Sequence, residues 1–295
     1  MKSLIRKRWE APQGISSWVG IPAVIWFLFF LIMPLGIVCV YSFAAKGTYG
    51  GIVFHFQLDN YVRATDWVYL RVFWSSFKLA SVTAILCLLI GYPMAYVMAT
   101  ASVRVRSILQ IGVVIPFWTN LVVRAYATKV WLSEAGPFQQ FLVSLGLIHS
   151  PMSLDSGGVA VILGMVTNYL PFMVLPLYVS IEKFDFSLME AAKDLGASPL
   201  RVLTRVLFPL TQTGIMTGLV LVFTPALGEF VIPDLLGGAR VMLMGNLITE
   251  QFLKTRDWPF GAALSLILIL MVLVSLGIYL RLQTTDGDRE SGRSS

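Results

Sequence analysis

Six apolar runs alternate with polar segments along this chain. They cover residues 18–43, 75–100, 108–131, 158–181, 214–236 and 260–282. A helix needs about 20 predominantly apolar residues to cross a bilayer, and each run meets that length. The first run follows a basic stretch, but it is longer than the apolar region of about 7–15 residues in a secretory signal peptide. We therefore predict an all-α integral membrane protein with six transmembrane helices, the first of them retained.

The composition supports a membrane protein. Of the 295 residues, 57% are hydrophobic and 13% are charged, whereas a soluble domain has about 25% charged residues. The formal net charge is +6, but the basic residues lie in short loops, where they set membrane orientation. We predict no nucleic-acid partner. Cys39 and Cys87 both lie in apolar runs, which favours packing roles over a disulfide or a metal pair.

Lys and Arg are unevenly distributed between the two sides of the predicted bundle. The richer side carries Lys2, Arg6, Lys7, Arg8, Arg104, Arg106, Lys183, Lys193, Arg201, Arg205, Arg281, Arg289 and Arg293. The other side carries Lys46, Arg63, Arg71, Lys129, Arg240, Lys254 and Arg256. Because cytoplasmic loops are enriched in basic residues, both termini are predicted to be cytoplasmic. The predicted organisation is a cytoplasmic segment over 1–17, a transmembrane domain over 18–282 with a cytoplasmic loop over 183–213, and a disordered cytoplasmic tail over 283–295.

The chain carries no recognisable catalytic motif. It has no G-x-x-x-x-G-K-[ST] phosphate loop, so it cannot hydrolyse ATP by that route alone. His55 and His149 are isolated, and no His, Cys and carboxylate group has metal-ligand spacing. We therefore predict no catalytic residue, no metal site and no cofactor bound by this chain.

The polar segment "SLMEAAKDLGASPLRVLTRVLFPL" interrupts the apolar pattern. Ser187 and Glu190 have the spacing of a capping box, which predicts a short helix that Gly196 ends in the left-handed conformation. Pro199 suits the first position of a second helix, which Pro209 is expected to break before the fifth span. Helices this short need a surface to pack against. The residues alone fit a connector on the membrane surface and a protein-docking element about equally well.

The same segment resembles the EAA loop of ATP-binding-cassette importer permeases. That pattern is E-A-A, three residues, Gly, nine residues and I-x-L-P. The matching positions are Glu190, Ala191, Ala192, Gly196 and Pro209, with Val206 in place of the Ile and Phe208 in place of the Leu. The resemblance implies that this loop inserts into the ATP-hydrolysing subunit and couples its closure to opening of the membrane path. ATP and Mg would then be held by the partner, not by this chain.

Other segments resemble the spermidine and putrescine permeases of the same importers. They include "LDNYVRA", "GYPMAYVMA", "IPFWTNLVVRAYA", "LPFMVLPLYVSIEKFD", "PALGEFVIPDLLGG" and "RDWPFGAALS". The resemblance implies a type I importer permease fold in a bacterial inner membrane. It also implies a second permease, for which a paralogue is favoured, two ATPase subunits and an external solute-binding protein. Related permeases carry ferric ion, sulfate, thiamine or sugar-acid conjugates, so the cargo stays open, and an ion-coupled carrier acting alone is a more remote alternative.

Two carboxylates in the fifth run are candidates for a substrate pathway. Glu229 and Asp234 lie among prolines and glycines that should loosen the helix. Charges at membrane depth usually face a cavity or a partner, and two carboxylates suit a cationic cargo. Alternatively, Glu229 pairs with a basic residue such as Arg124, and Asp234 lies at the outer interface.

Four further residues are weaker pathway candidates. Trp118 offers an aromatic face to an ammonium group, although it can equally fill space in the bundle. Asn120 follows it in the third run. Asn168 and Tyr169 lie in the fourth run, before a proline.

Overall fold

The computed structural model describes residues 15–47, 51–147, 154, 156–238 and 240–291. These residues are mostly helical, with one two-stranded antiparallel hairpin. The elements of the first half are α1 Ile15–Ser42, β1 Ala45–Lys46, β2 Ile52–Val53, α2 Asp59–Ala64, α3 Trp67–Thr100, α4 Val103–Phe117, α5 Leu121–Leu132 and α6 Pro137–Ser144. Those of the second half are α7 Gly158–Glu182, α8 Ser187–Asp194, α9 Pro199–Val202, a π-helical turn Leu203–Leu207, α10 Phe208–Leu210, α11 Gln212–Leu227, α12 Val231–Leu236, α13 Met244–Leu253 and α14 Trp258–Ser291.

Four helices are long and apolar enough to cross a membrane alone: α1 from Val24, α3, α7, and α14 as far as Gly277. Two bent pairs reach the same length and apolarity together. One joins α4 to α5 and α6 at an angle of 101°, and the other joins the helix ending at Leu210 to α11 at 71°. Within the described ranges, the chain therefore holds between four and six membrane-crossing units.

The third run is not a single straight helix, contrary to the sequence prediction, and the fifth run is broken where its prolines and glycines were expected to loosen the helix. In the third, α4 ends after Pro116, and α5 begins where the Asn120 side chain accepts a hydrogen bond from the amide of Val122 at 2.8 Å. In the fifth, α11 ends at Leu227 and α12 begins at Val231. The prediction counted apolar length, and length alone does not register a break that side chains can cap inside a protein.

The core lies where α3, α7 and α11 pack together. The glycine pair of α11 permits this packing, as its G-x-x-x-G spacing indicates. A Cβ on Gly218 would lie 2.5 Å from the sulfur of Met173, and one on Gly214 would lie 2.4 Å from the Cβ of Ser180. α1 lies outside this core: it packs along α14, and among the described residues of its membrane-crossing part only Ser42, at its end, is buried.

The last helix extends further than expected. α14 runs to Ser291, into the segment 283–295 predicted to be disordered. No proline follows residue 259, and a formed helix gains one hydrogen bond for each residue added, so low hydrophobicity alone does not end it. Residues 292–295, most of the N-terminal segment 1–17 and His149 lie outside the described residues.

Candidate functional site

Glu229 lies in the break between α11 and α12 and is only 7% exposed. Its Oε1 accepts hydrogen bonds from the backbone amides of Phe230 at 3.0 Å, Val231 at 2.8 Å and Ile232 at 3.3 Å. Its Oε2 accepts a hydrogen bond from the hydroxyl of Tyr169 in α7. The first amides of a helix have no partner within it, and a carboxylate there also opposes the helix dipole favourably. Glu229 therefore caps α12.

The alternative pairing of Glu229 with Arg124 is wrong. In the described part of the chain, no ion pair within 4.0 Å joins them. Instead, Nη1 of Arg124 donates to the carbonyl of Asn168 at 3.5 Å. The buried carboxylate is satisfied by backbone dipoles and a hydroxyl, which the sequence pattern of charges cannot reveal.

The other end of α12 is also satisfied by distant segments. Nζ of Lys129 in α5 donates to the carbonyl of Leu235 at 3.0 Å. The amide of Gly157 donates to the carbonyl of Leu236 at 2.8 Å. A cation at a helix C-terminus is favourable for the same reason as an anion at the N-terminus. This helix of six residues is thus complemented in charge at both ends.

α13 packs directly on the break. A Cβ on Gly245 would lie 2.4 Å from the carbonyl oxygen of Gly228 and 2.8 Å from that of Glu229. The adjacent Asn246 donates from Nδ2 to the carbonyl of Phe230 at 2.8 Å. The backbone of the break is therefore fixed by α13 as well as by the carboxylate. Neither Gly245 nor Asn246 was predicted, because a close backbone approach leaves no local sequence signal other than the glycine itself.

The structure brings only some of the predicted pathway residues together. Glu229 and Tyr169 are bonded, and Asn168 beside them is buried, with Nδ2 donating to the carbonyl of Gly164 at 2.8 Å. Asp234 is exposed on α12. Asn120 caps α5 and Trp118 is 86% exposed. No hydrogen bond in the described ranges joins these three to the buried pair.

The segment that resembles the EAA loop forms two short helices. Gly196 has φ +80° and ends α8, as predicted. Its amide donates to the carbonyl of Lys193 at 2.8 Å, and the amide of Ala197 donates to that of Ala192 at 3.1 Å. These two bonds form a Schellman motif.

The predicted capping box is absent. α8 has no side-chain cap from Ser187, whose amide instead donates to Oδ1 of Asp185 at 3.0 Å. Hydrogen bonds from the Ser187 side chain and then from its amide hold the pKa of Asp185 below its usual 3.8. The acid two residues earlier thus satisfies the donor that the box was expected to satisfy.

The second helix ends one residue after Pro209, before the fifth span, as predicted. The chain stays helical to Leu210 through a π-helical turn and bends at Thr211. Since proline lacks an N–H, the wider turn before it accommodates the missing bond. The bend is anchored by a 2.9 Å hydrogen bond between the hydroxyls of Thr211 and Tyr92.

This loop exposes large apolar side chains beside its charged ones. α8 has no buried residue. Leu195 is 89% exposed and Leu200 is 70% exposed. Glu190, Ala191 and Gly196 are exposed as well.

An ion pair fixes the base of the loop. Nη1 of Arg106 in α4 lies 2.8 Å from Oε1 of Glu182, at the end of α7. The hydroxyl of Tyr178 donates to the same oxygen at 2.5 Å, and Nη2 of Arg106 donates to the carbonyl of Ala99 at 3.0 Å. These contacts join α3, α4 and α7 where the loop begins.

A second ion cluster was missed at the start of α14. Oδ2 of buried Asp257 lies 2.8 Å from Nη1 of Arg63 and 3.8 Å from Nζ of Lys46. Its Oδ1 accepts from the amide of Phe260 at 3.3 Å. Asp before Trp-Pro is a helix-start signal and could have indicated this role. In the part of the chain that the structure describes, no cluster of His, Cys, Asp and Glu could hold a metal ion.

Curated relatives and solved structures resemble this chain over most of its length. The spermidine/putrescine transport system permease protein PotB of Escherichia coli is 43% identical over 87% of this chain and 93% of its own. The protein of the same name from Haemophilus influenzae is 41% identical over 87% of this chain and 90% of its own. A bacterial importer of the acidic polysaccharide alginate shares the fold, with a TM-score of 0.68, 20% identity and coverage of 90% of this chain and 95% of that one.

A family model decides the assignment. The model of the binding-protein-dependent transport system inner membrane component matches residues 88–284. The resemblance and the permease fold predicted from the sequence are confirmed. The chain therefore belongs to the family of binding-protein-dependent transport system inner membrane components, as a membrane permease and not an enzyme.

Proposed function

We propose that this chain is a permease subunit of an ATP-driven importer and forms half of the membrane path for spermidine or putrescine. The observation that carries the proposal is the identity of 41% and 43% to two spermidine/putrescine permeases over 87% of this chain. A second permease, favoured to be a paralogue, supplies the other half of the path. An external solute-binding protein delivers the cargo, and both termini lie in the cytoplasm of a bacterium.

The loop over 183–213 docks on the ATPase subunits, which hold ATP and Mg. The contact involves Glu190, Ala191, Ala192, Gly196, Val206 and Pro209. Support comes from α8, which has no buried residue although a helix of its length needs a surface to be stable. The ion pair of Arg106 with Glu182 then carries loop motion into α4 and α7.

The break in the fifth span borders the path. Asp234 is the exposed carboxylate of α12 and faces the cationic cargo. At the break between α4 and α5, Trp118 contributes an exposed aromatic face and Asn120 caps the start of α5. Buried Asn168, Tyr169 and Glu229 shape the wall behind Asp234.

The docking assignment is tested by Glu190→Lys and Gly196→Asp in the full importer reconstituted with the binding protein. Both variants should lower cargo-stimulated ATP hydrolysis at least tenfold, because one reverses a docking charge and the other strains a residue at φ +80°. Glu134→Lys makes the same charge change at an exposed site between α5 and α6 and should retain stimulation. Normal stimulation of both loop variants in an intact complex would contradict docking, and ATP-independent uptake by the purified chain would contradict the whole proposal.

A further inference from the structure

We infer that Glu229 is a positioning residue: it holds the break of the fifth span so that α12 presents Asp234 to the path, and it does not bind the cargo. This inference rests on the proposed function for the identity of the cargo. The capping geometry on which it depends does not rest on that function.

The carboxylate of Glu229 has little capacity left for a ligand. A carboxylate offers about four lone-pair sites. Three backbone amides approach Oε1 and one hydroxyl approaches Oε2. With the residue 7% exposed, an ammonium group would have to displace these donors and leave them buried without partners, which is costly.

The charge of Glu229 is also already compensated. It lies at the positive end of α12, and Lys129 lies at the negative end. Without the carboxylate, the free amides of α12 would present a positive end beside the path, which would repel a cation. Glu229 therefore suits a cationic cargo indirectly, by masking those amides.

Asp234 has the opposite environment. Its amide donates to the carbonyl of Phe230 at 3.0 Å, so its place on α12 depends on the turn that Glu229 caps. Its side chain is exposed. Glu229 therefore fixes the short helix, and Asp234 offers an exposed carboxylate.

Hydrogen exchange of the assembled complex in nanodiscs tests the cap without any cargo. Glu229→Ala should speed exchange of the amides of residues 230–232 by about five- to thirtyfold, the effect of losing a helix cap. Glu229→Gln keeps an acceptor oxygen and should stay within about threefold of the unmodified protein. Tyr169→Phe removes one donor to the carboxylate, so its exchange rate should lie between those of the two Glu229 variants. Asp234→Asn, a matched acid-to-amide change on the same helix, should leave this exchange unchanged.

Uptake by the full importer in vesicles tests whether Glu229 acts through Asp234. The measured quantity is the ratio of spermidine to putrescine uptake, because trivalent and divalent cargo respond differently to a lost charge. Glu229→Ala and Asp234→Asn should each lower this ratio by a similar factor. The double variant should have the same ratio as Asp234→Asn alone. Glu229→Gln should have the ratio of the unmodified importer. A purely structural role would leave the ratio unchanged.

Three outcomes would overturn the inference. The first is unchanged exchange in Glu229→Ala. The second is a loss of uptake in Glu229→Gln as complete as in Glu229→Ala while exchange stays normal, because the charge itself would then contact the cargo. The third is a double variant in which the fold-decreases of the uptake ratio from the two single variants multiply, because the two acids would then act independently. If the unmodified importer carries no polyamine, the proposed function fails and the exchange measurement still decides the cap.

Discussion

α12 and α8 are both short helices, of six and eight residues, and they are stabilised in opposite ways. Neither would be stable alone, since isolated helices shorter than about 12–15 residues are marginal in water. α12 buries Ile232, Pro233 and Leu236. Its first amides are bonded by the buried carboxylate just before it, and its last carbonyls by residues from other segments. α8 has no fully buried residue, and its ends are bonded only by neighbours in sequence, Asp185 and Gly196.

The two helices differ in how completely this chain satisfies their backbone groups and covers their apolar surface. The chain itself supplies every group that α12 needs, including a hydroxyl from α7, an ammonium from α5 and a packing surface from α13. For α8 the chain supplies the backbone bonds but only partial apolar cover, through Met189. We therefore expect changes around α12 to affect the permease alone, and changes on α8 to affect its association with another subunit.

The largest effect is expected for Gly245→Ala. The new Cβ would lie 2.4 Å from the carbonyl oxygen of Gly228, so the break must shift, and overpacking of this kind costs about 1–3 kcal/mol. Denaturant unfolding of the purified permease in detergent measures the loss. Gly112→Ala is the control, because nothing lies within 4 Å of its Cβ position. Equal stability of the two variants would show that α12 is not held by its neighbours.

An intermediate effect is expected for Leu195→Ser on the exposed loop. The side chain is 89% exposed, so permease stability should not change. Its burial against an ATPase subunit would contribute about 1–3 kcal/mol, so association measured in detergent should weaken at least about fivefold. Leu253→Ser, at a residue 73% exposed at the end of α13, should leave association intact. Lower permease stability in Leu195→Ser would remove the contrast between the two helices.

The smallest effect concerns pH and the start of α8. The pKa of Asp185 is lowered in the folded chain, so its stabilising contribution is present above 3.8, the usual value, and is lost as pH falls through the lower folded value. Ser187→Ala should raise the pKa of Asp185 part of the way back, because the amide bond remains. Carboxyl carbon NMR titration measures it. Ser198→Ala removes a hydroxyl that makes no cap bond and should not move this pKa, so equal shifts in both variants would argue against local capping.

The sequence predicts the apolar segments well because length and composition decide whether a helix can enter a bilayer. It also predicts the left-handed turn at Gly196, since that signal is local. It fails where a distant group satisfies the backbone. Tyr169 bonds the carboxylate that caps α12, and Lys129 and Gly157 bond the last carbonyls of this helix. No spacing rule links these positions. The expected capping box is absent because the amide of Ser187 donates to the carboxylate of Asp185, two residues earlier, instead of to Glu190.

The contact between α1 and α14 joins two membrane helices that lie far apart in the sequence. Because α1 is held by lipid along its membrane-crossing part, it can be inserted as soon as it leaves the ribosome. Its packing against α14 can form only after that later helix has been synthesised. A chain truncated before α14 would leave α1 in the bilayer without that neighbour, so the pairing of α1 with α14 forms only after about 200 intervening residues have been made.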